Sequence, residues 1–311
     1  MSARASDRVL PAILISLLAI LFFDLMALVI KHLSARYGAA ELSAWRNLFG
    51  LLPGLITLWS TRTWHDAGRP LRLRQWHIPL IRGLAVTVAQ FCFYLALGRL
   101  AFATAATISY SNALFIVALS VPILGERVGP FRWSAALVGF AGVVMVMGPG
   151  RDAFSFDAVL PLIAAMLYAV AGVTSRLLDE DVPSPLVNLH SSGVAALGAL
   201  GLALATGGFT PIASAADMAW IVAMGMFGGT AVLCLVVSYR MTEPSNLAPF
   251  SYAGIPTALL LGWVFFGEAP VQDLFPGAIL IVAGGLMIVW RERRLSRRYR
   301  EGTRQTGISA Q

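Results

Sequence analysis

Charge is what this 311-residue chain has least of. Only 13% of its residues are Asp, Glu, Lys or Arg, against about 25% in soluble domains. Lysine occurs once, at Lys31, and histidine four times. No GxxxxGK[ST] stretch is present to cradle a phosphate, and no HExxH to hold zinc. Paired aspartates at metal spacing and a Ser/His/Asp constellation are also missing. These absences exclude ATP-driven transport by this chain alone, leave no metal site and imply no cofactor. The two cysteines, Cys92 and Cys234, both fall mid-way through apolar runs, where they read as small apolar side chains rather than a disulfide. The net charge of +7 comes without the aromatic-interleaved basic groove of single-strand binders, so nucleic acid is not a partner.

What remains is apolar: 58% of residues are hydrophobic and the mean hydropathy is +0.75. A bilayer core needs about 20 apolar residues per crossing helix. Ten such runs can be marked: 10–33, 40–60, 77–99, 101–124, 133–150, 157–178, 184–206, 217–240, 244–266 and 271–290. The expected fold is therefore all-α, with ten transmembrane helices and the lipid bilayer as its surroundings. The first run exceeds a signal-peptide core of about 7–15 residues and is predicted as a retained span. Cytoplasmic loops collect Lys and Arg. With the N-terminus inside, 17 of the 23 basic residues fall inside, and only Lys31, Arg36, Arg99 and Arg151 outside. Both termini are thus expected in the cytoplasm, the last 21 residues as a basic tail.

The apolar pattern is written twice. "ISYSNALFIVALSVPILGE" (108–126) and "FSYAGIPTALLLGWVFFGE" (250–268) share Ser-Tyr and Gly-Glu at a constant offset of 142, and 103–147 holds ten identities with its counterpart. Gly83 likewise matches Gly225, and Ala141-Gly142 matches Ala283-Gly284. The chain divides into residues 1–9, a first five-helix repeat at 10–150, a second at 151–290 and the tail at 291–311. Five is odd, so the second repeat enters the membrane upside down. Inverted repeats around an in-plane pseudo-two-fold axis mark secondary transporters, with substrate near the midplane between the halves. A central cavity is expected there.

Ionisable groups within spans are costly, and normally face a cavity or a partner. Asp24 stands about 14 residues into the first span. It is a candidate for a substrate ammonium group or a proton, against a structural pairing with Lys31 two turns on. Lys31 and Arg46 lie near the outer ends of spans one and two, with Glu41 close by, and are candidates for a gate or carboxylate attractor at the outer mouth, against a structural ion pair. Gln90, Tyr94, Tyr110, Asn112, Tyr168, His190 and Tyr252 are the remaining polar or amphipathic groups within spans. A tyrosine ring can stack on a flat substrate while its hydroxyl bonds to it; packing is the alternative for each. Asp24, Gln90 and Asn112 are expected to orient amino and carboxyl groups. Pro249 and Pro256 interrupt span nine and are candidate hinges.

The chain resembles the drug/metabolite transporter superfamily, in its ten-span branch with two EamA-type repeats. The resemblance rests on Gly125-Glu126 and Gly267-Glu268 after spans four and nine, Lys31 and Arg176 ending spans one and six, and Arg46 in span two. Where that family carries a Trp-Gly-like pair eight residues before the basic residue, this chain has Phe23-Asp24 and Tyr168-Ala169. The resemblance implies a bacterial inner-membrane exporter acting as a monomer on a small molecule. The chain is also similar to the superfamily's aromatic amino-acid exporters; other metabolites or drugs are the alternative cargo. An intramembrane lipid-modifying enzyme would need acids or histidines clustered at one interface, and only Asp24 and His190 are on offer, far apart.

Overall fold

The backbone inside a bilayer must satisfy its own hydrogen bonds, and the described residues are all helix, turn or short connection, with no strand among them. The structure, a computed structural model, describes residues 9–60, 62–66, 68, 75–125, 129–147, 156–174, 177, 184–241, 247–268, 271–287 and 290. The Glu126 and Arg176 of the resemblance, Arg151 and the basic tail lie outside them. Ten helical segments follow the marked runs: α1 (Val9–Leu33), α2 (Ala39–Trp59), α3 (His77–Arg99), α4 (Phe102–Leu124), α5 (Pro130–Met147), α6 (Phe156–Thr174), α7 (Ser184–Ala205) and α8 (Ala215–Met241). The ninth, α9, is a 3-10 stretch, Ala248–Ala253, continued by the α-helix Gly254–Phe266, and α10 (Gly277–Met287) follows a turn at Val271–Leu274.

Of these, α1, α3, α4, α6 and α8 are long and apolar enough to cross a membrane. Apolar helices at Trp133–Met147, Leu189–Ala205, Gly254–Phe266 and Gly277–Met287 are shorter. The 21 residues of α2 have the length, but Glu41, Arg46 and Asn47 dilute their hydropathy. The protein is an all-α, multi-pass membrane protein.

The polar quartet of the first repeat marks a break in the helix. Helix runs from Phe102 to Ser109, turns through Tyr110 and Ser111, and resumes at Asn112. The Tyr110 N–H is shared between the Ala106 and Thr107 carbonyls at 3.3 and 3.2 Å, and the Ser111 N–H goes to Ile108 at 3.0 Å, a tightening to 3-10 geometry. In α9 the equivalent residues form the 3-10 stretch itself. After each break runs a 13-residue helix, ended by a left-handed glycine, Gly125 at φ 67° and Gly267 at φ 66°, the conformation that glycine adopts without cost.

The packing carries the same two-fold. The contact of α1 with α8 is matched by α6 with α3, that of α2 with α8 by α7 with α3, and that of α1 with α9 by α6 with α4. The helices α2 and α7, and α4 and α9, each pack on their own counterpart. Gly225 of α8 is pressed against Phe49 of α2, and Gly83 of α3 against Ser191 and Val194 of α7; Phe49 and Ser191 are themselves 142 residues apart. The helices α5 and α10 cross through glycines, where a Cβ on Gly142 would meet the Gly277 carbonyl and one on Gly284 the Ala135 carbonyl. Close approach of backbones through small residues is the usual membrane substitute for a hydrophobic driving force.

Candidate functional site

Where the two repeats meet at the centre, α1, α4 and α9 bring together Asp24, Tyr110, Tyr252 and Thr257. Asp24 is 6% exposed, and the Thr257 hydroxyl donates to its Oδ2. The Tyr110 and Tyr252 rings, equivalent in the two repeats, lie 6.3 Å apart at a 47° tilt. A residue that touches its own counterpart sits at the pseudo-two-fold axis, so this pair marks it. The Tyr110 hydroxyl fits over Gly254 and the Tyr252 hydroxyl over Gly285, where no side chain could stand. Tyr110 is within electrostatic reach of Asp24. Both the Tyr252 hydroxyl and that of Ser111, beside Tyr110, are buried with no hydrogen-bond partner among the described residues. Asn112 opens the second helix of α4, half-buried.

A second polar group spans α2 and α3. Gln90 Oε1 accepts from the Ser43 hydroxyl at 2.9 Å and from Asn47 Nδ2 at 2.7 Å, while Gln90 Nε2 donates to Asn47 Oδ1 at 3.3 Å. Arg46 Nη1 donates to the same Asn47 oxygen at 3.0 Å. Gln90 thus stands in a network that holds Asn47, and through it Arg46. The Tyr94 hydroxyl, Arg46 Nε and Trp45 Nε1 are buried without partners among the described residues. The charge of Arg46 acts on the hydroxyls of both Tyr94 and Tyr168.

The pairing of Asp24 with Lys31 is not made. Lys31 Nζ instead meets Glu268 Oε1 at 3.0 Å and donates to the Leu100 carbonyl at 2.6 Å, with the Phe266 ring 5.3 Å away. Glu268 Oε2 takes the Phe102 N–H at 2.8 Å, so one carboxylate joins α1 to the start of α4 and the end of α9. Arg36 meets Asp217 at 3.2 Å, and Arg99 meets Asp157 at 2.9 Å. Glu41 accepts the Thr210 N–H at 3.0 Å rather than pairing with Arg46. Apart from the Lys31 bond to Leu100, these ties join the first repeat to the second, and all lie at one end of the bundle. Towards the other end Arg82 bridges the repeats, Nη1 to the Ala171 carbonyl at 2.5 Å and Nε to Ser191 at 3.3 Å. His190 is satisfied locally by the Leu186 carbonyl at 2.9 Å. Pro249 lies in the 3-10 stretch and Pro256 in the first turn of the helix after it. Among the described residues no three His, Cys, Asp or Glu gather as a metal site would need.

Thr257 and Asn47 escaped the sequence reading. No spacing links Thr257 to an acid 233 residues away; Asn47, next to Arg46 in an apolar helix, gave a signal by position alone.

With this geometry in place, comparison with known proteins is specific. The chain matches the EamA-like transporter family twice, over residues 10–148 and 156–290. It is 31% identical to a riboflavin transporter of Rhizobium johnstonii over 189 residues, 60% of this chain and 62% of that protein, so the matched stretch spans less than two thirds of that relative. It is 24% identical to an S-adenosylmethionine uptake transporter of Rickettsia conorii, over 87% of this chain and 90% of the relative. It is 26% identical to a pseudopaline exporter of Pseudomonas aeruginosa, over 89% and 95%. A solved crystal structure shares the fold with a TM-score of 0.64, at 24% identity, covering 92% of this chain and 98% of that one.

Proposed function

This chain belongs to the EamA-like transporter family, and we propose that it exports small, partly apolar metabolites, aromatic amino acids foremost, by alternating access between its repeats. It is a small-molecule transporter and not an enzyme. One observation carries the finer reading: a buried carboxylate, Asp24, held by one hydroxyl beside two tyrosine rings in tilted contact where the repeats meet. A carboxylate in that setting suits an ammonium group, and the rings suit a flat hydrocarbon.

In this reading Asp24 and Thr257 hold the amino end while Tyr110, Tyr252, Tyr94 and Tyr168 line the apolar part. Asn112 edges the site at the helix break. Lys31, with Glu268, closes the outer mouth, and Pro249 and Pro256 let α9 bend. The orientation follows the arginine count, with both termini in the cytoplasm and the carrier in a bacterial inner membrane, working as a monomer. A proton on Asp24 would compete with the ammonium group and drive exchange.

The named relatives are a riboflavin transporter, an S-adenosylmethionine uptake transporter and a pseudopaline exporter, so this frame is not tied to one cargo. Proteoliposomes loaded with labelled phenylalanine decide. Saturable exchange, competed by tyrosine and tryptophan and faster with a pH gradient, supports aromatic amino-acid transport with proton coupling. Saturable exchange indifferent to the gradient leaves a facilitator. Absence of phenylalanine exchange, beside saturable riboflavin or S-adenosylmethionine exchange, moves the carrier to the cargo of its relatives.

A further inference from the structure

We infer that Arg46, steadied by Asn47 and Gln90, is the receptor for a carboxylate on the transported molecule, so that the carrier selects amino acids over the corresponding amines. This rests on the transport reading above and adds a second pole to it.

The inference begins with an arginine left short of partners. A guanidinium group carries five N–H donors in a fixed plane, and within a membrane bundle its charge normally faces an anion. The other span-end cations Lys31, Arg36 and Arg99 each have a carboxylate. Arg46 has none among the described residues. Among the described residues its one hydrogen bond is from Nη1 to Asn47 Oδ1, and Nε is buried without a partner. Glu41, five residues earlier on the same helix, is spent on the Thr210 N–H.

The surroundings are built for a fixed geometry. Ser43, Asn47 and Gln90 form a chain of hydrogen bonds with Asn47 Oδ1 facing Arg46 and Gln90 Nε2 holding that oxygen in place. This pins Nη1 and leaves Nη2 and Nε unused. On the opposite side lies Gly228 of α8, where an added Cβ would stand 2.8 Å from Nε and 3.0 Å from Nη2. Only glycine leaves the guanidinium its place there. Tyr94, 1% exposed, keeps a buried hydroxyl without a partner, and it and Tyr168 are the hydroxyls on which the Arg46 charge acts. A cation and an unpaired hydroxyl donor together are what a carboxylate needs, and the charged pair is stronger than a neutral hydrogen bond.

The depth fits one small molecule. By helix rise, Asp24 lies about 14 Å and Arg46 about 10 Å from the shared end of α1 and α2. Met26 of α1 lies against Gly228 together with Arg46, so α1 and α2 both pack on α8 at this level.

The test uses the purified full-length protein and three ligands of one size: phenylalanine, 3-phenylpropionate, which lacks the amino group, and phenethylamine, which lacks the carboxylate. Tryptophan fluorescence titration gives the affinities. Wild type is expected to bind phenylalanine and 3-phenylpropionate. Arg46→Gln should weaken both at least about tenfold and leave phenethylamine unchanged. Arg46→Lys should recover only part, because the planar fork is lost. Tyr94→Phe, which removes one oxygen and keeps the packing, guards against misfolding: it should weaken the two carboxylates selectively. Carboxylate binding unchanged within twofold in Arg46→Gln, or a wild type that binds neither carboxylate, overturns the inference. Arg46-dependent binding without phenylalanine exchange in vesicles would leave this subsite standing and remove the proposed cargo. Exchange of phenylalanine that survives Arg46→Gln would do the reverse.

Discussion

At the scale of single residues, the glycines opposite the two axial tyrosines are the sharpest constraint. A Cβ on Gly254 would collide with the Tyr110 hydroxyl, and one on Gly285 with that of Tyr252. Rings buried in the bundle cannot retreat freely, so overpacking costs about 1–3 kcal/mol per site. Gly254→Ala is expected to lower the melting temperature in detergent, and adding Tyr110→Phe, which removes the clashing oxygen, should recover part of it. A loss that ignores Tyr110→Phe would show that the helix, not the contact, needs the glycine. Asp24 was legible from sequence because an acid deep in an apolar run has few bland explanations. Its partner was not, because a threonine in such a run is unremarkable and becomes informative only when folding brings 24 and 257 together. Gln90 shows the opposite limit. Polarity and depth marked it as a candidate, but its bonds to Ser43 and Asn47 were not legible, because side-chain amides satisfy one another only once folding sets their positions.

At the scale of helices, equivalent positions should behave alike. Gly125 and Gly267 end 13-residue helices at the same left-handed angles, so Gly125→Ala and Gly267→Ala should each cost about 1–2 kcal/mol. The double variant is expected to add to within about 0.5 kcal/mol, and thermal unfolding checks both. The ten spans, the repeat offset and the glycine ends were all written in the sequence, since hydropathy and glycine conformational freedom act locally. The break at Tyr110 and Ser111 was visible as four polar residues without its meaning being legible. Proline was the obvious breaker in α9, but α4 breaks twelve residues before its own Pro122, so the turn is set by the polar quartet. Which helix touches which was also hidden. The two-fold pairing of α1 with α8 and α6 with α3 depends on how the halves dock, and a repeat in sequence fixes only that equivalent helices have equivalent neighbours.

At the scale of the whole molecule, the three ion pairs among the described residues all join the repeats, and all sit at one end. An inverted repeat has two arrangements of similar energy, and an asymmetric set of ties selects one of them. In the proposed orientation the tied end faces away from the cytoplasm, so this arrangement is closed outwards. Lys31 and Glu268 are its best-connected members, one carboxylate holding α1 and the start of α4 at the end of α9. For the carrier to release cargo outwards this contact must open. The prediction follows in a chain whose native thiols are removed as Cys92→Ala and Cys234→Ala. With Lys31→Cys and Glu268→Cys, a short bifunctional thiol reagent should halt exchange, and a cleavable version should restore it on reduction. Binding measured from the cytoplasmic side should persist in the linked protein, because the link lies at the opposite end of the bundle. Exchange that continues through the link would mean that the outer mouth opens elsewhere, and that Lys31 and Glu268 hold the bundle together without gating it. The two results separate a latch from a rivet, which the 3.0 Å contact alone resembles equally.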